Sequence, residues 1–487
     1  MAETLLWVIP LVPVVTALLM LATSNRKLLS TIDVGSSAIL AALTLLLAHE
    51  VEASGPRSLG MFRVDDLGII FLLLLVVLTL AVSIYTVAWL KQAVEVGNMK
   101  AESLRFYFAL VHAFVATIVV TILADNLGIL WIAMEGTTIT SAVLIGYHGH
   151  HHGLEAAWKY IIVTTIGISF GLFGTVIIYA AAAQVMGEAS SMSWLAMMQV
   201  APKLDPGIVR IGFIFVMVGY GTKAGLAPMH LWLPDAHSQA PTPISALLSG
   251  ILIKCALLAI IRFQMIAAAA CGVDFPQQIL IVFGLASMVV AMPFILAQHD
   301  LKRLLGYSSV EHVGIIALGL GFGGAVGTYG ALLYVVNHGI TKALAFMAAG
   351  TAIARFDSRN LQAIKGLLAV APIGATLLMI AFLSLAGVPP FSIFVSELMI
   401  LRAGIGQGDW VSVAIFLTMA VIIFAGLLHH AGAMVFGEPP KTASHEPEAR
   451  SPLIAMLLLA TLMILLGLTI PVMFDGFLQR ATEVVLG

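Results

Sequence analysis

Seven residues of this chain combine titratable chemistry with an apolar setting. They are Glu135 in "WIAMEGTT", Lys223 in "GYGTKAGLAPMH", Lys254 in "GILIKCALL", His312 in "SSVEHVG", His338 and Lys342 in "NHGITKALAF", and Glu397 in "SIFVSELMI". A charged side chain at the centre of a bilayer costs about 2.5–3.5 kcal/mol even on the most lenient insertion scale, so these groups must face protein or water. Histidine titrates near neutral pH, and a desolvated lysine changes protonation readily, whereas arginine never gives up its proton. The arginines are expected in loops or near span ends, which favours carriage of protons over fixed counter-charge. His338 and Lys342, four residues apart, share a helical face. The chemistry implied is a proton relay.

What must hold such a relay is a membrane domain. The chain has 487 residues, 60% of them hydrophobic and 10% charged, with a net charge of -2 and a mean hydropathy of +1.05. Apolar runs of span length number roughly fourteen. The expected fold is an all-α polytopic membrane protein, a single membrane domain over residues 1–487 with short connections, the longest from about residue 183 to 209. No cleavable leader and no soluble domain are expected. Positive residues number about thirteen in loops after odd-numbered spans and about seven on the other side, which predicts both termini outside the cytoplasm. The near-neutral charge makes no case for nucleic acid.

Cofactor chemistry finds no support in the motifs. Cys255 and Cys271 form no C-x-x-C, which argues against an iron–sulfur cluster or structural zinc. No phosphate-binding or dinucleotide-binding glycine motif is present. No cofactor and no metal are therefore expected, and uphill movement must draw on an ion gradient or a partner. "YHGHHHG", with His148, His150, His151 and His152, reads as a solvated loop. "HDLKRLLGYSS", with Asp300, Lys302 and Arg303, reads as a loop anchoring the next helix, and His112 reads as structural.

Depth organises the seven. Glu135, Lys223, Lys254, His312 and Lys342 each lie within about 3 Å of the middle of their own span. His338 is about 9 Å off-centre, and Glu397 up to about 15 Å, at one exit. Gly225, Pro228, Pro234, Pro241 and Pro243 break the span just after Lys223, and a break at membrane depth survives only where protein or a water-filled cavity satisfies the freed backbone. "GLAPMHLWLPD" (Gly225–Asp235) and "GVPPFSIFVSE" (Gly387–Glu397) share a glycine, a proline three residues on and a carboxylate ten residues on. Spans four to eight (residues 106–264) and nine to thirteen (277–437) then each carry a discontinuous fourth helix. Blocks of five enter from opposite sides, so the expectation is two inverted five-helix repeats.

The segment "KAGLAPMHLWLPDAHSQAPTPISALLSGILIK", with "QHDLKRLLGYSSVEHVG" and "NHGITKALAF", resembles the antiporter-like membrane subunits of respiratory complex I, Mrp-type cation/proton antiporters and energy-converting hydrogenases. "GYGTKAGLAPMH" and "EAAWKYIIVTTIGISFGLFGTVIIY" look most like component F of hydrogenase-4 and formate-hydrogenlyase-type complexes. The resemblance implies that Glu135 pairs with and modulates Lys223, the lysine of the first broken helix. Lys254 would be a connecting lysine, His312 and His338 bridging histidines, and Glu397 the terminal group at the second break. Lys254 departs from some hydrogenase-type relatives, where a neutral residue is expected, and no long lateral C-terminal helix is expected.

The resemblance also implies a proton-translocating subunit of a redox-driven complex in the cell inner (cytoplasmic) membrane, with other membrane-arm subunits and a peripheral redox arm as partners. The alternatives are an Mrp-type sodium/proton antiporter subunit and the membrane subunit of an inorganic-carbon uptake complex. Moving one charge against 100 mV costs about 2.3 kcal/mol, within the swing of two pKa units at about 1.4 kcal/mol each.

Overall fold

A chain this apolar satisfies its backbone inside lipid as helix, and the computed structural model, which describes residues 2–95, 99–187 and 192–487, is helical almost throughout. In order the helices are α1 (Ala2–Leu21), α2 (Arg26–Ser54), α3 (Asp66–Glu95), α4 (Leu104–Leu123), α5 (Leu127–Ile145), α6 (His151–Met186) and α7 (Trp194–Val200). There follow α8 (Pro206–Ala224), α9 (Trp232–Gln239), α10 (Thr242–Leu247), α11 (Ile253–Cys271), α12 (Asp274–Leu296), α13 (Leu301–Phe322) and α14 (Gly324–Phe356). The last are α15 (Leu367–Val370), α16 (Pro372–Leu385), α17 (Ser392–Gln407), α18 (Trp410–Val435), α19 (Arg450–Leu468) and α20 (Val472–Leu486). Among the described residues the only sheet is a hairpin of β1 (Arg57–Leu59) and β2 (Phe62–Val64).

Among the described residues thirteen segments are long and apolar enough to cross a membrane, with α8–α9 and α10–α11 each acting as one. The fourteenth crossing is the pair α16 and α17, split at Gly387, Pro389 and Pro390. Proline lacks the amide and clashes with the preceding turn, so neither half reaches span length alone. In the connection expected over 183–209, α7 is the amphipathic piece, with Trp194 and Met197 buried; residues 188–191 lie outside the described residues. Residues after α19, which the sequence left without structure, form α20. It lies against α3 and α14, tied by Arg480 Nε to Asp66 Oδ1 at 2.7 Å and by the Tyr329 hydroxyl to Asp475 Oδ1 at 2.5 Å.

Three crossings, α10–α11, α13 and α14, are buried along their whole apolar length. They carry Lys254, His312, His338 and Lys342, so four of the seven titratable residues stand on the innermost helices. Small residues let the backbones close on one another. A Cβ on Gly219 of α8 would stand 2.1 Å from the Gly171 nitrogen of α6, and one on Gly339 of α14 would stand 2.8 Å from the Gly250 carbonyl. The first approach brings the α6 and α8 side chains into bonding range, and the second brings α14 to the turn before Lys254.

One arginine departs from expectation. Arg262 lies inside α11, buried, because Asp65 at the mouth of α3 reaches it with two hydrogen bonds of 2.7 Å. The Trp194 ring covers the guanidinium at 4.4 Å. A carboxylate partner with bidentate geometry makes a buried arginine tolerable.

Candidate functional site

Helix α8 ends at Ala224, capped by Gly225 at φ 83°, a left-handed conformation that glycine adopts without strain. Lys223 therefore sits in a last helical turn, fully buried. Its amine donates to the Tyr160 hydroxyl at 2.7 Å and to the Thr138 hydroxyl at 2.7 Å. Thr138 in turn donates to Glu135 Oε2 at 3.2 Å, and Thr165 donates to Oε1 at 2.8 Å. Glu135 and Lys223 thus form no direct ion pair, contrary to the pairing implied by sequence. One hydroxyl stands between them because Thr138, one turn after Glu135, occupies the space nearer the amine. Trp232 of α9 packs on Tyr160 with ring centroids 4.8 Å apart and donates to the Thr222 carbonyl at 2.8 Å, which the Gly225 amide also reaches at the break.

At the centre, Leu248–Leu252 makes a π-helical turn between α10 and α11, and Lys254 is the second residue after it. The turn aims the Ser249 carbonyl at the Lys254 amine, which donates to it. The Ser249 hydroxyl meets that of Ser309 on α13 at 2.8 Å, Ser309 donates to the Leu305 carbonyl at 2.9 Å, and Lys342 donates to the same carbonyl at 2.9 Å. Two fully buried lysines are thereby joined across α13. Among the described residues neither they nor Lys223 has a carboxylate within ion-pair distance.

The far group is aromatic. His312 Nδ1 meets the Tyr334 hydroxyl at 2.5 Å, and Tyr334 donates to Glu397 Oε1 at 2.9 Å. With the phenol O–H directed at the carboxylate, Nδ1–H must donate to the phenol oxygen, so the three form an ordered wire. The rings of His312 and His338 stand 4.7 Å apart. Glu397 follows the second break as Lys223 precedes the first. Gly387 makes room for it, since a Cβ there would lie 2.2 Å from Glu397 Oε2.

The seven residues form three groups rather than one continuous line: Glu135 with Lys223, Lys254 with Lys342, and His312 with His338 and Glu397. No direct hydrogen bond among the described residues links Lys223 to Lys254 or Lys342 to His338. Both ring nitrogens of His338 and of His237, together with His312 Nε2, Glu311 Oε2 and Ser308 Oγ, are buried without a hydrogen bond to protein. Such groups take water in folded proteins. Glu135 and Glu397, the two ends, are only part-buried. Exposed Ile132 and Ile139 flank the first and Leu398 the second, so the series opens on the lateral surface of the chain at both ends.

Sequence reading passed over several residues that the structure places beside these groups. Glu311, buried with its carboxylate 4.0 Å from His312 Nε2, was visible as the one acid in "SSVEHVG". His237 was visible in "LPDAHSQAP", in the same stretch as Lys223. Tyr160 and Tyr334 gave no signal, because tyrosine is ordinary in spans. Lys302 is in the first turn of α13 rather than in a loop, buried and donating to the Ala240 carbonyl at 2.5 Å. Asp235, matched to Glu397 by spacing, instead meets Arg303 at 3.1 Å and Lys159 at 3.5 Å near the ends of the helices. Of the histidine loop, His151 and His152 open α6; with Glu155 they form an exposed trio of metal-capable groups within 4.8 Å of one another.

The wire gives a direct expectation. Tyr334→Phe removes both hydrogen bonds and little volume, so proton uptake by the assembled complex falls about tenfold or more with native-gel migration unchanged. Wild-type uptake in that variant contradicts the wire.

Residues 124–423 match the family described as NADH:quinone oxidoreductase/Mrp antiporter, TM. The chain is 33% identical over 437 residues to the hydrogenase-4 component F homolog of Methylacidiphilum infernorum (isolate V4), covering 88% of this chain and 89% of that one. In fold it resembles a chain of the membrane-bound sulfane sulfur reductase, an archaeal respiratory membrane complex, with a TM-score of 0.88 at 24% identity over 99% of this chain and 98% of the other. It also resembles a chain of the Mrp complex from Dietzia sp. DQ12-45-1b, with a TM-score of 0.85 at 22% identity over 100% and 99%.

Proposed function

Because this chain belongs to the NADH:quinone oxidoreductase/Mrp antiporter transmembrane family, as an antiporter-like membrane subunit, we propose that it moves protons along its series of buried titratable groups while partner subunits carry out the redox chemistry. The observation that carries this reading is the ordered pair of wires at the two broken helices, Lys223 through Thr138 to Glu135 and His312 through Tyr334 to Glu397. Each begins at a nitrogen base and ends at a carboxylate on the lateral surface, where a neighbouring subunit or water can exchange a proton. Lys254 and Lys342 connect the two.

In this mechanism a charge change beside Glu135, from a neighbouring membrane-arm subunit, alters the hold of Thr138 and Tyr160 on the Lys223 amine. The amine gives or takes a proton, and the central lysines pass the imbalance to the histidines and Glu397. Protonation at one site disfavours protonation of the next cation, so the lysines act in alternation. Residues 106–264 and 277–437 act as two inverted repeats: α4 packs on α5 and α5 on α6 as α12 packs on α13 and α13 on α14, and each block breaks in its fourth crossing. Both termini face away from the cytoplasm, a reading supported by the basic loops. The complex is of the hydrogenase-4 or complex I kind, its peripheral arm supplying electrons and its membrane being the inner one.

The test is proton uptake into proteoliposomes holding the intact complex, driven by its own redox turnover in sodium-free medium. Uptake that persists without sodium is the expected result. Uptake that requires sodium supports the antiporter reading of the same residues instead.

A further inference from the structure

The relay leaves unused a titratable pair between the second crossing, outside both repeats, and the fourth, which opens the first repeat. Asp33 of α2 and His112 of α4 are buried, with His112 Nε2 on Asp33 Oδ1 at 3.0 Å. Ser83 of α3 donates to the same oxygen at 3.0 Å and meets Ser37 at 2.9 Å. The other titratable group facing them is the Tyr107 hydroxyl of α4, buried without a partner. α3 adds the hydroxyls of Thr79 and Thr86, and α10 adds only Ile244 and Leu247.

Two cavities of about 10 Å³ flank the pair, one lined by Ser36, Ser37, Thr79 and His112, the other by Thr86, Tyr107 and Ile244. That is about the room one water needs, and polar walls supply its hydrogen bonds. Asp33 lies about 10 Å and His112 about 12 Å along helices that start on the same membrane face. On that face a groove of about 790 Å³ is rimmed by Arg26, Lys27 and Lys91. Leu247, which lines the first cavity, precedes the π-helical turn before Lys254, and Leu78 of α3 lies where a Cβ on Gly250 of that turn would point.

The pair is unlike the buried pair of Arg262 and Asp65. Arg262 and Asp65 are locked by a guanidinium that cannot lose its proton, whereas aspartate and imidazole both titrate. An ionisable group at membrane depth is a functional candidate by default. We propose that Asp33 and His112 form a second proton-exchange site, entered from the basic face and supplying the central lysines from the side. Taking one proton from water turns a single negative charge into a neutral ion pair, and releasing it toward the Ser249–Lys254 turn restores the charge.

This rests on the proton-translocating reading above, and the test separates the two. Asp33→Asn keeps an oxygen that accepts from Ser83 and His112 but cannot ionise, so a purely structural pair leaves pumping untouched. In the intact complex, Asp33→Asn is expected to slow uptake about tenfold at alkaline pH, where protons are scarce, with an unchanged Tm and with recovery in Asp33→Glu. A wild-type pH profile in assembled Asp33→Asn overturns the site. Should that variant fail to assemble, His112→Gln, which retains an N–H toward Asp33, and Ser83→Ala carry the same test, and unchanged profiles in both overturn it. If instead Lys342→Met leaves pumping intact, the relay itself fails, whatever Asp33 does.

Discussion

Replacing Lys342 with methionine stops proton uptake while leaving the chain at least as stable as before. Lys342 is fully buried, its amine held by a single carbonyl, that of Leu305, with no carboxylate within ion-pair distance. Methionine fills nearly the same volume and carries no charge to desolvate. Exchanging a buried charge for a well-packed apolar group is neutral or stabilising in general. A residue kept for stability would behave the other way, with Tm falling and uptake intact. The expected readings are an unchanged or raised Tm and at least a tenfold loss of uptake, the minimum for removing a proton-transfer group. The centre of the series has no other cation on α14 to take over, so the loss exceeds that of Tyr334→Phe.

Arg262→Ala should do the reverse, costing about 3–5 kcal/mol of stability because Asp65 is left buried and unpaired. The covering Trp194, which also donates to the Arg262 carbonyl at 2.9 Å, loses its cation, so the α7 connection loosens too. Asp65→Leu combined with Arg262→Met restores most of the loss, since the pair is then replaced by apolar packing. Thermal unfolding of the three variants checks this, and equal melting of all of them contradicts it. The pH dependence has a definite sign. Burial alone would raise the Asp65 carboxyl, but the Arg262 guanidinium beside it and its hydrogen bonds hold it below its ordinary value of 3.8. Folding therefore favours the carboxylate, and the contribution is full above 3.8 and is lost as pH falls through the lowered value.

The lysines were legible because nothing but function or a partner explains an ammonium in an apolar run, and the breaks were legible because proline and glycine leave few backbone choices. Both broke where expected, after Lys223 and before Glu397. The hydroxyls that connect these groups were not legible. Thr138 and Tyr334 are ordinary residues for a span, and only the packing of α5 on α6, the close approach of α6 to α8, and that of α14 to its neighbours turn them into bridges. The π-helical turn before Lys254 was hidden for a similar reason: in "SALLSGILIK" Gly250 reads as a helical glycine, whereas its role is to admit Gly339 of α14. Arg262 was misplaced because its partner, Asp65, stands 197 residues away in sequence. Glu311 is the one residue that closer reading would have found, since it sits beside a histidine already singled out.

The most direct measurement is proton uptake by proteoliposomes holding the intact complex, wild type beside Lys223→Ala, with assembly verified on a native gel and redox turnover recorded in parallel. The expected result is an assembled variant whose uptake collapses by about tenfold or more per redox turnover. An assembled variant that pumps as the wild type does would make Lys223 a structural charge and contradict the passage of protons through this chain.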